Sequence, residues 1–284
     1  MFYVTLSDFN EKPVTKDGKI NKIINGATDW VYEEEFSIHK GFEWSPDGKK
    51  LAYYVFDETD VKEFQMKMYG TLYPTHYKFK YPKAGEDNSL ISIRIFDTQY
   101  DRHFVFDVGN NPDIYIPRIM WSKRRDELIV FKMNRLQNKL ELLSGTFSMD
   151  TPNNIGIKTK PIYTENSTTY IDIHDNTSFI NENEFIWTSE KDGYNHIYLI
   201  NYANGTEKQL TIGDWDVTEV YGYASQSKKI FFQAAKSHPT KREIYALYPK
   251  NNKIELLTEK SGTNEANFSK SFHYFINTHS SACL

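Results

Sequence analysis

The sequence predicts an all-β chain, a β-propeller of four-stranded blades, on three observations. Aromatic residues make up 15% of the 284 residues, with 20 tyrosines and 19 phenylalanines, a composition that favours strands. Short apolar runs alternate with turn dipeptides, and almost no helical periodicity interrupts them. A unit also recurs: an aromatic residue, a short polar turn, then an apolar strand. Trp44-Ser45-Pro46-Asp47-Gly48-Lys49 precedes a strand at 51–56, and Trp121-Ser122-Lys123-Arg124-Arg125-Asp126 precedes one at 128–131. Phe179, Tyr223 and Phe268 open the same pattern further on, and Tyr223 and Phe268 are 45 positions apart. That spacing is the length of a four-stranded blade. A β-sandwich would share the strands but not the period.

In chain order, a strand is predicted at 2–6. The Lys16-Asp17-Gly18-Lys19 turn, an Asp-Gly hairpin signal, leads into a strand at 20–24. The stretch Asp29-Trp30-Val31-Tyr32-Glu33-Glu34-Glu35-Phe36-Ser37 breaks the pattern, because a strand would send Glu34 to the opposite face from Glu33 and Glu35. A short helical turn on a loop is predicted instead, on which consecutive carboxylates converge on one cation. Third strands are predicted at 91–96, 196–200 and 243–247, and fourth strands at 103–106, 208–211 and 253–257, with hairpin turns at Asp192-Gly193 and Asn204-Gly205.

Residues 57–86 break the period and read as an arm inserted within a blade. It ends in Tyr77-Lys78-Phe79-Lys80-Tyr81-Pro82-Lys83, whose alternation predicts an extended ribbon with Tyr77, Phe79 and Tyr81 on one apolar face. A segment this long is usually functional or interfacial; the competing reading is a surface excursion. At ~45 residues per blade, the chain without the arm accounts for fewer than six blades. A propeller closes to protect its strand edges, so residues 1–284 are expected to be a partial propeller, part of a larger ring.

The net charge of −4 offers no reason to expect nucleic acid. No apolar run approaches the ~18 residues of a membrane span, and the first residues lack the basic start and apolar core of a signal peptide. The sole cysteine, Cys283, forms no intrachain disulfide. The eight histidines are scattered, with no His-x-x-x-His, so neither a metal nor a cofactor is expected. His273 and His279 flank a predicted strand and read as surface or packed side chains. Lys123-Arg124-Arg125 reads as a solvated turn cluster.

Several motifs together carry more information. Asp29-Trp30-Val31-Tyr32-Glu33-Glu34-Glu35, Trp44-Ser45-Pro46-Asp47-Gly48 and Tyr81-Pro82-Lys83-Ala84-Gly85, in this order and spacing, closely resemble the N-terminal β-propeller of the dipeptidyl peptidase IV family. Asn134-Arg135-Leu136-Gln137-Asn138, Asp192-Gly193-Tyr194-Asn195-His196-Ile197 and Gly213-Asp214-Trp215-Asp216-Val217 extend the resemblance over nearly the whole chain. It finds no clear match around Tyr170-Ile171-Asp172-Ile173-His174. What the resemblance implies is an eight-bladed propeller capping an α/β-hydrolase domain, of which this chain holds about five to six blades. It implies a serine exopeptidase that releases N-terminal dipeptides with proline or alanine second.

On that resemblance, Glu34 and Glu35 match the acidic pair that holds the substrate's free α-amino group. Carboxylates accept charge-assisted hydrogen bonds from an ammonium, and their place measures two residues from the scissile bond. The other reading is a solvated acidic helix start, favoured by the helix dipole. Glu33 and Ser37 are read as candidate pocket residues, Glu33 as the weaker member with a structural role as the other reading. No Gly-x-Ser-x-Gly elbow occurs in the sequence, and the Ser-Asp-His triad is expected in a hydrolase domain following Leu284. The chain alone is therefore expected to be inactive. The implied partners are peptides with a free N-terminus, the C-terminal α/β-hydrolase domain, and a second copy docked through the arm. The implied compartment is periplasmic, secreted or membrane-anchored. A non-catalytic propeller binding peptides or proteins through the same acidic pocket is the alternative.

Overall fold

The structure is a computed structural model that describes residues 1–124, 126–151 and 154–282, with side chains described outside 148–155. Arg125 and Cys283 lie outside the described residues. The chain divides into two compact units, Met1–Glu165 and Asn166–Leu284.

In the first unit, β1 (Phe2–Val4) pairs with β2 (Glu11–Pro13). Then come β3 (Ile23–Asn25), helix α1 (Trp30–Phe36), β4 (Phe42–Trp44), β5 (Lys50–Asp57), β6 (Glu63–Met68), β7 (Thr75–Lys80), β8 (Leu90–Asp97) and β9 (Arg102–Val105). One antiparallel sheet runs β3–β5–β8–β9, with β4 also paired to β5, while β6 and β7 pair only with each other. A four-stranded sheet of β10 (Ile114–Trp121), β11 (Glu127–Asn134), β12 (Lys139–Thr151) and β13 (Asn154–Asn166) follows.

The second unit repeats the plan. One sheet holds β14 (Ser178–Phe179), β15 (Glu184–Ser189), β16 (His196–Asn201) and β17 (Glu207–Gln209). The next holds β18 (Val217–Ala224), β19 (Lys229–Ala234), β20 (Glu243–Tyr248) and β21 (Lys253–Leu256), and a pair of strands, β22 (Thr263–Phe268) and β23 (Phe275–Ser280), completes the set. Within each sheet, strands adjacent in space are adjacent in sequence, apart from the arm between β5 and β8 and the excursion that separates β3 from β5. The central strands bury nearly every residue: β5 and β19 are closed to solvent along most of their length. Val14, Leu51, Tyr53, Val55 and Phe96 form a core in the first unit, and Trp215, Phe232, Tyr245 and Leu247 belong to one in the second. Each such side chain removed from water contributes about 1.5–3 kcal/mol.

The recurring polar turn has a physical basis. Ser45 Oγ donates to Asp47 Oδ1 (2.7 Å) and accepts from the Lys50 N–H (2.9 Å), which closes the loop from β4 into β5. Ser122 Oγ donates to Glu127 (2.7 Å) and accepts from the Arg124 N–H (3.0 Å) at the same place in the next sheet. Ser269 Oγ accepts from the Tyr274 N–H (3.3 Å) between β22 and β23.

Several boundaries differ from the sequence reading. The tight turn lies at Lys19–Ile23, where the two residues exchange backbone hydrogen bonds of 3.0 and 2.9 Å. Asn21 takes the positive φ there, 57°, and asparagine tolerates that conformation; the Asp17-Gly18 hairpin does not form. The strand predicted at 20–24 is consequently only Ile23–Asn25. The first strand stops at Val4 because Thr5 and Phe9 close a turn (2.8 Å). The final strand starts at Phe275 and contains His279, since Phe272, at φ 57°, prolongs the preceding turn. β12 and β13 were not foreseen, although Leu140 and Leu142 alternate at the start of β12 and are both buried.

Candidate functional site

The acidic stretch sits in a split strand. β3 pairs with the Val55–Asp57 end of β5, while β4 pairs with the Leu51–Tyr53 end. Between them, Tyr54 uses both its backbone groups: its carbonyl accepts from Gly26 and its N–H donates to Gly41, each at 2.9 Å. Residues 27–40 are thus an excursion from a single strand position. Thr28 Oγ1 donates to the Ile38 carbonyl (2.9 Å) across its neck. Gly41 is required by close approach, because a Cβ there would lie 2.7 Å from the Ala27 carbonyl oxygen.

The excursion carries α1, whose seven residues are too few to hold a helix unaided. Both ends are clamped. Asp29 is the N-cap: Oδ1 accepts from the Tyr32 N–H (3.0 Å) and Oδ2 from Ser89 Oγ (2.7 Å). At the other end Ser37 turns left-handed, φ 54°, and the Ile38 N–H closes onto the Tyr32 carbonyl (3.1 Å). Arg118 Nη1 donates to the Phe36 carbonyl (2.8 Å), a favourable place for a cation. The buried face is aromatic. Tyr32 packs 4.8 Å from Phe56 and 5.1 Å from Phe36, ring centre to ring centre, and its hydroxyl accepts from the Ile116 N–H (2.9 Å). Burial drives the Tyr32 hydroxyl pKa well above its ordinary value, so it stays protonated. Burial also raises the pKa of Asp29, against the hydrogen bonds from Ser89 and Tyr32. Nearby Glu58 is raised by burial and by the charge of Asp29.

With Val31, Tyr32 and Phe36 turned inward, Glu33, Glu34 and Glu35 are all exposed. Successive helical side chains point about 100° apart, so Glu34 and Glu35 occupy neighbouring sectors of the exposed face. Glu35 lines a pocket of about 340 Å³ together with Trp30, Tyr81, Lys83, Tyr115 and Arg135. Glu33, Glu34 and Ser37 lie outside that lining; Ser37 is the helix C-cap. Arg135 is held in place by Asp113 (3.1 Å) and the Glu86 carbonyl (2.9 Å), and it lies over the Tyr115 ring (5.7 Å).

The arm is a true hairpin, in register from Glu63↔Lys80 to Met68↔Thr75. Phe64 pairs with Phe79 and Met66 with Tyr77, which puts their side chains on one face. Tyr77 stacks on Phe79 (5.6 Å). Phe64, Met66, Met68 and Tyr77 are exposed. Tyr81 differs: half-buried at the foot, it meets Trp30 of α1 edge to face at 4.3 Å. The apolar face therefore gains Phe64 and Met66 from β6, while Tyr81 joins arm to helix. Arg118, Tyr115 and Arg135 carry no local pattern that marks them for this site. They reach it across more than 70 residues of chain, although Arg135 belongs to one of the matched motifs.

Antiparallel meanders of short strands, with a helix let into the edge of one sheet, define the class of the chain: a β-propeller protein. The family described as "Dipeptidyl peptidase IV (DPP IV) N-terminal region" matches residues 1–283, and the chain belongs to it. The crystal structure of Porphyromonas gingivalis dipeptidyl peptidase 4 is similar at a TM-score of 0.90 and 38% identity, covering 98% of this chain and 39% of that one. Prolyl endopeptidase FAP of Bos taurus is 31% identical over 82% of this chain and 32% of its own length. Dipeptidyl peptidase 4 of Trichophyton tonsurans is 28% identical over 93% of this chain and 35% of its own. The chain thus spans about a third of the length of these curated relatives.

Proposed function

We propose that this chain is the propeller part of a dipeptidyl peptidase IV-like serine exopeptidase. In this reading Glu34 and Glu35 bind the free α-ammonium of the substrate, and the propeller gates access to a C-terminal α/β-hydrolase domain. One observation carries the reading: a seven-residue helix, clamped at Asp29 and by Arg118 and rooted by Tyr32, holds its carboxylates out to solvent. A rigid mount of this kind suits a site that measures distance. Ser37 serves as the helix cap, and Glu33 interacts with the helix start rather than with substrate.

The test uses the full-length enzyme. Glu34→Gln and Glu35→Gln each keep shape and remove one charge. Losing a charge-assisted hydrogen bond costs about 1.5–3 kcal/mol, so kcat/KM should fall by about one to two decades. An N-acetylated peptide, which has no ammonium, should lose much less. Glu33→Gln should change little, and all three variants should fold like the parent. Equal losses at all three positions, or on both peptides, would make the motif structural and remove the site.

A further inference from the structure

The first unit holds another cavity, of about 840 Å³, between the segment around β2 and the face of β5, β8 and β9. Its floor takes one residue from each strand: Tyr53, Arg94 and His103. Register sets Arg94 opposite Tyr53, and the Tyr53 hydroxyl meets His103 Nδ1 at 3.1 Å. Lys12, Lys16 and Asp17 line the wall, and Asp101 lies in the turn before His103.

Arg94 is the unusual member. Its Nε is closed off from solvent and has no hydrogen-bond partner. Its Nη1 stands 3.9 Å from Asp17 Oδ2, beyond hydrogen-bond reach. The other Asp17 oxygen is occupied, accepting from Asn25 Nδ2 at 2.9 Å. That one buried N–H without an acceptor is destabilising, while the Arg94 side chain as a whole is 37% exposed, and a guanidinium matches an oxyanion with two parallel hydrogen bonds. Three cations, Arg94 and the exposed Lys12 and Lys16, face two carboxylates, Asp17 and Asp101. Burial and the Arg94 charge also hold the His103 pKa below its ordinary value, so His103 has room to gain a proton when an anion arrives.

We propose that this cavity binds a small organic oxyanion, whose carboxylate or phosphate group sits on the Arg94 edge with His103 and Lys16 beside it. The volume lies in the range of small-molecule sites, about 300–1,000 Å³, and exceeds what a bare inorganic ion fills.

The experiment is an NMR titration of the histidine-labelled chain with phosphoserine and, separately, succinate, which distinguishes a phosphate from a carboxylate ligand. The His103 signal should shift saturably with at least one probe, and its pKa should rise in the bound state. Arg94→Gln should weaken binding by about tenfold or more, as expected for a lost charged hydrogen bond. Arg94→Lys keeps the charge and loses the planar edge, so it should also weaken binding while melting like the parent. Absence of a saturable shift with either probe overturns the proposal. Parental affinity in both Arg94 variants does the same.

Discussion

Asp29 spends its two carboxylate oxygens on two different tasks, capping α1 through the Tyr32 N–H and tying the helix to β8 through Ser89. It does so while buried, and burial raises its pKa. The sign of the consequence is fixed. A carboxylate whose folded pKa lies above its unfolded value binds more protons when folded, so stability falls as pH rises from the ordinary aspartate range through the raised value. Asparagine can keep both contacts without the charge. Asp29→Asn should therefore melt at or above the parent near neutral pH, with the difference vanishing below the ordinary carboxylate range. Asp29→Ala loses the cap and should cost about 1–2 kcal/mol below the ordinary carboxylate range, and less near neutral pH, where the parent carries the buried charge. Thermal melts of the three proteins across pH 3 to 8 check this; an Asp29→Asn variant that matches Asp29→Ala at neutral pH would show that the charge itself is needed. At Gly41 a methyl would press on the Ala27 backbone, so Gly41→Ala should lower stability by about 1–3 kcal/mol, measured by the same melts.

At the scale of elements, helix and arm behave differently. The helix is anchored through aromatic packing and end caps, and its exposed face is free to carry charge. The arm presents Phe64, Met66, Met68 and Tyr77 to solvent, on a hairpin whose pairing leaves that face without a covering layer. We propose that it forms the interface of a homodimer in the full-length protein, since exposed apolar area of this kind marks an interaction surface. Replacing residues 64–79 by a short polar turn should give monomers by light scattering; a variant that stays dimeric would place the interface elsewhere. The helix was legible in the sequence because three consecutive glutamates contradict strand alternation, and the arm because Tyr77, Phe79 and Tyr81 obey it. Their junction was not. Nothing local in the sequence brings Trp30 against Tyr81, or Arg118 to the Phe36 carbonyl, since such contacts depend on which sheet edge the excursion leaves.

For the whole molecule, the repeat was readable because the four-stranded sheets share an aromatic opening and a buried inner strand, and a serine hydroxyl closes the turn after β4, β10 and β22, while Asn181 does so after β14. Boundaries were less readable wherever asparagine or another non-glycine residue took a left-handed conformation, as at Asn21 and Phe272. No Gly-x-Ser-x-Gly occurs in the 284 residues, so this chain by itself should release no dipeptide from a Gly-Pro chromogenic substrate. Turnover that survives purification and disappears with a serine-directed inhibitor would overturn that expectation.

The arm leaves and rejoins its sheet at one rung. Asp57 pairs with Leu90, and the β5–β8 ladder runs unbroken from there to Lys50↔Asp97. The sheet below has no record of how long the excursion is. Lengthening, shortening or exchanging the ribbon above Lys62 and Tyr81, whose backbones are already bonded at 3.0 Å, changes no register beneath it. The position acts as a socket: a lineage, or an engineer, can replace what this protein presents to its surroundings while the sheet and the carboxylate-bearing helix stay as they are.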